Sequence, residues 1–338
     1  MSAISATIDP PAAPLHPEPT SSRRARNRRR ARRAGLVALA VTGLVAVSAT
    51  TNAALNQFER STTAAYGERV QVAGGELNVY RHGDSGPTIV MLQGYGTAAP
   101  AIDFAPLIRE LNGYRIVVVE GFGYGYSDTT APARTIQNIT AELHQALGQV
   151  GVDEPYVLLG HSIAGIYDLY YANEYPDEVA AVIGIDASVP GQMNGMAGQG
   201  NPVSALLSGS GLLRVASTVA PILVEPDGDA YTPQEREQFR LMTNWNWANP
   251  ALLDEADHSD QNFAAVENMS YPDGLPVLSF IKKVGSQPRW RELHQAQLDN
   301  RAQGELVELD GGHYLHWTQS EAIAQHIRDF LTSAAVTR

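Results

Sequence analysis

Two residues of this chain are placed to do chemistry together: Ser162, within Gly160-His161-Ser162-Ile163-Ala164-Gly165, and His313, within Asp310-Gly311-Gly312-His313. The apolar run Tyr156–Leu159 leads into the first motif, and a helical pattern follows it. This reads as a strand, a sharp turn carrying the serine, and a helix. Such a turn holds a hydroxyl away from the backbone at the end of a sheet. Small residues flank it because the turn is strained and the strand and helix pass close together. A serine hydroxyl alone is a poor nucleophile, so the pattern requires a base and an acid elsewhere in the chain. His313 has the setting of a base: two glycines precede it, just after the alternating segment Glu305–Leu309, which places an imidazole on a loop at a strand end. Among the nine histidines, His316 is its rival, expected to line the pocket or to orient the loop.

A third motif, Gln93-Gly94-Tyr95-Gly96, closes the apolar run Thr88–Leu92. Acyl transfer needs donors aimed at the oxygen that becomes negative in the transition state, and fixed backbone N–H groups serve without reorganisation. The expected pair is the amide of Tyr95 and the amide of Ile163, next to the serine. Gln93 is a candidate pocket residue beside them.

Together these motifs resemble the α/β-hydrolase superfamily, from about Glu68 to about Leu331. Val117–Asp128, with Gly121, Gly123, Gly125, Ser127 and Asp128, is similar to that superfamily's strand and glycine-rich turn. Two positions depart from the usual pattern: Ala164 stands two residues after the serine where glycine is common, and Gln93 stands where histidine is usual. The resemblance implies an α/β fold, with a mostly parallel central sheet, helices on both faces and a helical lid. It also implies the chain order nucleophile, acid, histidine. In most members the acid follows the penultimate strand, here Leu275–Ile281, yet no carboxylate follows until Glu292. Certain lipases carry it one strand earlier, and here Val179–Ile185 ends in Asp186. Asp186 is therefore the expected acid and Glu292 the alternative, while Asp310 is too near His313 in the chain to face its ring.

What the resemblance implies is a Ser-His-Asp hydrolase cleaving a carboxylic ester, or a thioester or lactone, through an acyl-enzyme. An aminopeptidase-like member and a non-catalytic ligand-binding member are the alternatives. A serine nucleophile argues against haloalkane dehalogenase and epoxide hydrolase chemistry. No metal and no cofactor is implied, and with no cysteine in the chain thiolate metal sites and disulfides are excluded.

The elements that must position these groups are legible too. Arg69–Val72 and Glu76–Tyr80, separated by Gly74-Gly75, read as an opening hairpin. Ile102–Leu111 and Thr135–Val150 read as helices between strands, and Ser320–Phe330 as the closing helix. The alternation predicts a parallel sheet covered on both faces. It breaks between about residues 190 and 270, where Gly191–Gly200 reads as flexible and several helical runs follow. Thr232 before Pro233 is a helix start. A lid is expected here, with Leu206, Leu207, Leu212, Leu213, Met242, Trp245 and Trp247 available to line an apolar pocket, Trp245 foremost.

The chain has 338 residues and a net charge of −12. Residues 1–33 hold eight arginines against Asp9 and Glu18, so the remainder is more acidic still and argues against nucleic-acid binding. Residues 1–33 are expected to be a disordered basic tail. Residues 34–55 lack charge and fit one membrane-spanning signal-anchor helix, leaving 56–338 as the catalytic domain. The basic block before that stretch places the domain on the extracytoplasmic side of a cell membrane. Secretion after signal cleavage is the alternative. The expected partners are a small ester or lipid-like substrate and the membrane.

Overall fold

The structure, a computed structural model, describes residues 20–192, 202–283, 288–299 and 301–336. The tail before Thr20 and most of the expected flexible loop lie outside the described residues. The chain forms two compact units, residues 1–48 and residues 49–338.

Helix α1, Thr20–Thr62, starts in the first unit and ends in the second. It begins earlier than the expected span of 34–55, so residues 20–33, expected as disordered, are helical. Arginine and alanine are good helix formers, and no glycine or proline interrupts Thr20–Ala34. The part of α1 from Ala25 to Thr62 is, by length and composition, long and apolar enough to cross a membrane, with a mean hydropathy of 1.9 in its most apolar window.

The second unit is built on eight strands. They are β1 Glu68–Val72, β2 Gly75–His82, β3 Thr88–Leu92, β4 Arg115–Glu120, β5 Tyr156–His161, β6 Val179–Ile185, β7 Val277–Lys282 and β8 Gly304–Leu309. They lie in the order β1-β2-β4-β3-β5-β6-β7-β8. The β1–β2 hairpin and the β2–β4 pair are antiparallel, and every later pair is parallel. The central strands are buried on both faces, hence their unbroken apolar runs.

Between the strands run α2 Pro100–Asp103, α3 Ala105–Glu110, α4 Ile136–Val150 and α5 Ala164–Glu174. The expected helix Ile102–Leu111 is thus two short helices joined at Phe104. Thr135 caps α4 through its hydroxyl, and Gly151 ends it in the left-handed region. After β6 come α6 Pro202–Gly209, α7 Leu212–Val219, α8 Pro233–Asn246 and α9 Pro250–Val266, which form the lid. Thr232 and Glu235 make a reciprocal capping box on α8. The chain closes with α10 Pro288–Leu298 before β8, then α11 Leu315–Thr318 and α12 Ser320–Ser333.

Strand alternation sorts the core into two layers. Ile89 and Met91 of β3 pack with Phe104, Leu107, Ile323, Ile327 and Phe330 on one face. Val90 and Leu92 pack with Leu143, Leu147, Tyr171 and Ala172 on the other. Sandwiched so, the sheet is a rigid platform whose parallel strands all end at one edge.

Candidate active site

The site lies at that edge. Ser162 follows the last residue of β5 and precedes α5, with φ of 55°, in the left-handed region that few non-glycine residues adopt. The turn is over-determined by its neighbours. A Cβ on Gly165 would lie 2.4 Å from the Ser188 carbonyl, and one on Gly160 would lie 2.2 Å from Asp168 Oδ2. The glycine required by close packing is therefore Gly165, three residues after the serine, and the buried methyl of Ala164 is accommodated.

His313 stands on the loop between β8 and α11, and its Nε2 accepts from Ser162 Oγ at 2.8 Å. Its Nδ1 donates to Asp186 Oδ2 at 2.6 Å. Asp186 follows the end of β6, the strand beside β5, and also has a left-handed backbone, with φ of 41°. Its other oxygen accepts from Trp290 Nε1 at 2.9 Å and from the Lys282 amide at 3.3 Å. Lys282 Nζ lies 3.5 Å from Oδ2. Burial pushes the Asp186 carboxyl up, but the His313 contact, Trp290 and Lys282 outweigh it and hold the group below the ordinary aspartate range. The three expected residues are thus brought into one relay, oriented so that the serine proton can pass to the imidazole. Glu292 is exposed on α10.

Gly94 lies against this turn: a Cβ there would sit 2.7 Å from His161 Nδ1 and 3.0 Å from Ser162 Cβ. Glycine lets the Gly94–Tyr95 peptide approach Ser162. Ile163 is buried at the N-terminus of α5, where helix amides favour negative charge. Tyr95 is tied to the lid, its hydroxyl donating to the Leu252 carbonyl at 3.0 Å.

Three residues escaped the sequence reading. Lys282 is the last residue of β7 and Trp290 lies on α10 beyond it, where the search was for a carboxylate, yet they hold the one that follows β6. Asp103, wholly buried, accepts from His316 Nε2 at 2.8 Å and from Trp317 Nε1 at 2.7 Å. The signal for it was His316, three residues beyond His313, which needed a partner once buried. His161 Nε2 in turn donates to the His313 carbonyl at 3.2 Å. Burial lowers the His161 pKa well below the usual histidine value, with the neighbouring imidazoles His316 and His313 adding to it, so this ring is neutral.

The pocket assignments need correction. His316 is fully buried behind the loop that carries His313, its Nε2 bonded to Asp103. Trp245 packs with Ile102, Tyr126, Phe239 and Met242 and donates to Glu59 at 2.8 Å. Leu206, Leu207 and Leu212 face outward. Each follows from local amphipathicity, which the residue list alone does not orient. Gln93 does line a cavity of about 40 Å³, together with Tyr124, Arg134, Glu142, Tyr167 and Glu255. The carboxylates there are engaged: Glu142 pairs with Arg134 at 2.6 Å, and Glu255 accepts from Tyr124 and Tyr167, each at 2.8 Å. This is not the open acidic pocket that an aminopeptidase would present to a free amine.

A sequence model described as the alpha/beta hydrolase fold matches residues 87–204. RutD of Escherichia coli is 30% identical over 249 residues, 70% of this chain and 87% of its own. The chain belongs to the α/β-hydrolase family. Within it, the hydrolase is 27% identical over 281 residues to lipase LipV of Mycobacterium tuberculosis, covering 76% of this chain and 98% of LipV. It also shares its fold with a thermophilic esterase from Thermogutta terrifontis, at a TM-score of 0.56 and 19% identity over 79% of this chain and 99% of that one.

Proposed function

We propose that the protein is a serine hydrolase that cleaves carboxylic esters with an apolar portion through an acyl-enzyme. The observation that carries this reading is the unbroken relay from Ser162 Oγ through the His313 ring to Asp186, at 2.8 Å and 2.6 Å. As Oγ attacks the ester carbonyl, its proton moves to His313 Nε2, and Asp186 stabilises the resulting imidazolium. The amides of Tyr95 and Ile163 receive the developing oxyanion. The intermediate collapses, the C–O bond breaks, and the alcohol leaves with the proton from Nε2. A water then gives a proton to Nε2 as it attacks the acyl carbon, and Ser162 Oγ recovers the proton when the acid departs. Similarity to a protein named a lipase and to one named an esterase supports the choice of ester among acyl substrates.

The reading includes a tether. Residues 34–55 anchor the enzyme in a membrane, and the arginines of residues 23–33 hold the opposite end on the cytoplasmic side.

Replacement of Ser162 by alanine tests the chemistry. Turnover of a p-nitrophenyl ester and labelling by a fluorophosphonate are both expected to vanish, while the thermal unfolding midpoint stays within a few degrees. Labelling that persists on this variant would place the nucleophile elsewhere.

A further inference from the structure

The lid contains a helix folded inside out. The polar side of α7 faces the protein. Arg214 donates from Nε to Asn52 at 2.9 Å and from its terminal nitrogens to both oxygens of Glu59, at 2.7 Å and 2.9 Å. Ser217 is buried and donates to Asn244 at 3.1 Å. The apolar side faces outward: Leu212, Val215 and Val219 recur at helical spacing on one face. Leu206 on the preceding helix and Ile222 and Leu223 on the following turn extend it, and all six are between 53% and 80% exposed. Residues 202–224 carry a single charge, that of Arg214, and it is turned inward. A contiguous apolar surface of this kind on a soluble body marks an interaction site.

We propose that this face is the seat of the catalytic unit on a lipid bilayer, lying at the boundary between headgroups and acyl chains of the membrane in which the enzyme is tethered. The geometry rests on the tether reading given above and is independent of the ester chemistry. Two observations select lipid as the occupant. First, the polar back of α7 is bonded to Asn52, and Asn52 Nδ2 also donates to the Ser208 carbonyl of α6 at 3.2 Å. Asn52 is four residues from Ser48, where the first unit ends. Four residues reach at most about 14 Å. The lid is therefore held within that span of Ser48, and it is bonded to Asn52, near the C-terminal end of the apolar stretch 34–55. Second, the face combines large aliphatic side chains with no outward charge, the composition that inserts at an apolar boundary. The next charges in the chain, Glu225, Asp227 and Asp229, are acidic. Adsorption is thus apolar, needs no anionic lipid and is insensitive to salt.

The absence of cysteine makes a direct test available. Full-length protein carrying Val219→Cys, Leu44→Cys or Asp153→Cys is labelled with an environment-sensitive fluorophore and reconstituted into phosphatidylcholine vesicles. Nitroxide lipids then report depth. The label at position 219 should lose at least half its emission to a shallow nitroxide, equally in low salt and in 1 M salt. The label at 44 should respond to a deep nitroxide, and the label at 153 to neither. In an Ile222→Cys protein, adding Val215→Asp and Val219→Asp should abolish quenching at 222 without changing the unfolding curve, since both positions are exposed. A label at 219 as silent as that at 153, with 44 quenched, overturns the proposal and leaves the tether standing. Quenching at 219 with none at 44 supports the lipid face and removes the tether. Efficient disulfide cross-linking between Val219→Cys chains, with no lipid quenching, would instead assign the face to a second copy and overturn the proposal.

Discussion

Ser162 and Asp186 are joined through their backbones as well as through the imidazole between them. The Ser162 amide donates to the carbonyl of Ile185, the residue before the acid, at 3.3 Å, and the Ser188 amide returns to the Ser162 carbonyl at 2.6 Å. Both residues have left-handed backbones at the ends of adjacent parallel strands. The Ser162 turn and the Asp186 turn are one hydrogen-bonded unit, so a carboxylate after β6 is registered to the serine by the sheet itself.

From this follows the effect of Asp186→Asn. The amide cannot accept from His313 Nδ1 as a charged partner, and the imidazole loses its favoured tautomer. A fall in kcat of about 10³- to 10⁴-fold is expected. Glu292→Gln, on the exposed face of α10, should leave kcat within twofold. Steady-state kinetics on one chromogenic ester distinguishes the two, and the reverse ranking would move the acid to Glu292.

Asp103 works at one remove. It holds His316 and Trp317, three and four residues after His313, and so fixes the loop that aims the imidazole. Asp103→Asn weakens two charge-assisted bonds without touching substrate. A loss in kcat of roughly ten- to a hundredfold with KM unchanged is expected, by analogy with the cost of small misplacements in a catalytic array. A role in stability alone would instead lower the unfolding midpoint and leave kcat per folded molecule intact.

The close approach of Gly165 to Ser188 makes a separate claim about the turn. The methyl of Gly165→Ala would meet a backbone carbonyl at 2.4 Å, and backbone cannot swing aside as a side chain can. Destabilisation of about 1–3 kcal/mol is expected, the usual range for overpacking. Chemical denaturation measures it. Ala164→Gly, at the position that departs from the common motif, should change activity little.

How far the sequence reached depended on whether a signal was local. Strand, turn and helix around Ser162 are fixed by neighbours in the chain, and so are the hairpin, the cap at Thr232 and the loop of His313. The choice of Asp186 came from the resemblance, since certain lipases carry the acid at the end of that earlier strand, and not from its neighbours in the chain. Partners that meet only through the fold were not legible: Asp103 with His316, Trp290 with Asp186, Arg214 with Glu59. The lid leucines failed for a related reason. An amphipathic helix announces that it has an apolar face, but its spacing does not say whether that face meets protein or something outside it.

Asp168 supplies a pH test of the platform itself. It lies on α5 beneath Gly160, fully buried, and neither oxygen has a hydrogen-bond partner among the described residues. Burial drives its pKa far above the ordinary aspartate value. The sign follows from linkage: the folded state binds this proton more tightly than the unfolded chain does. Near the unfolded pKa of about 3.9 and below, the group costs little, because both states are protonated. As pH rises above that value the unfolded carboxyl ionises freely while the buried one resists, so stability is lost progressively until the folded pKa is reached. Asp168→Asn removes the titration while keeping the shape of a neutral carboxyl. Its unfolding midpoint should match that of the parent near pH 4 and exceed it by several degrees at pH 8, measured by thermal melts across that range. A difference independent of pH would mean that the carboxyl is solvated or paired in the folded protein.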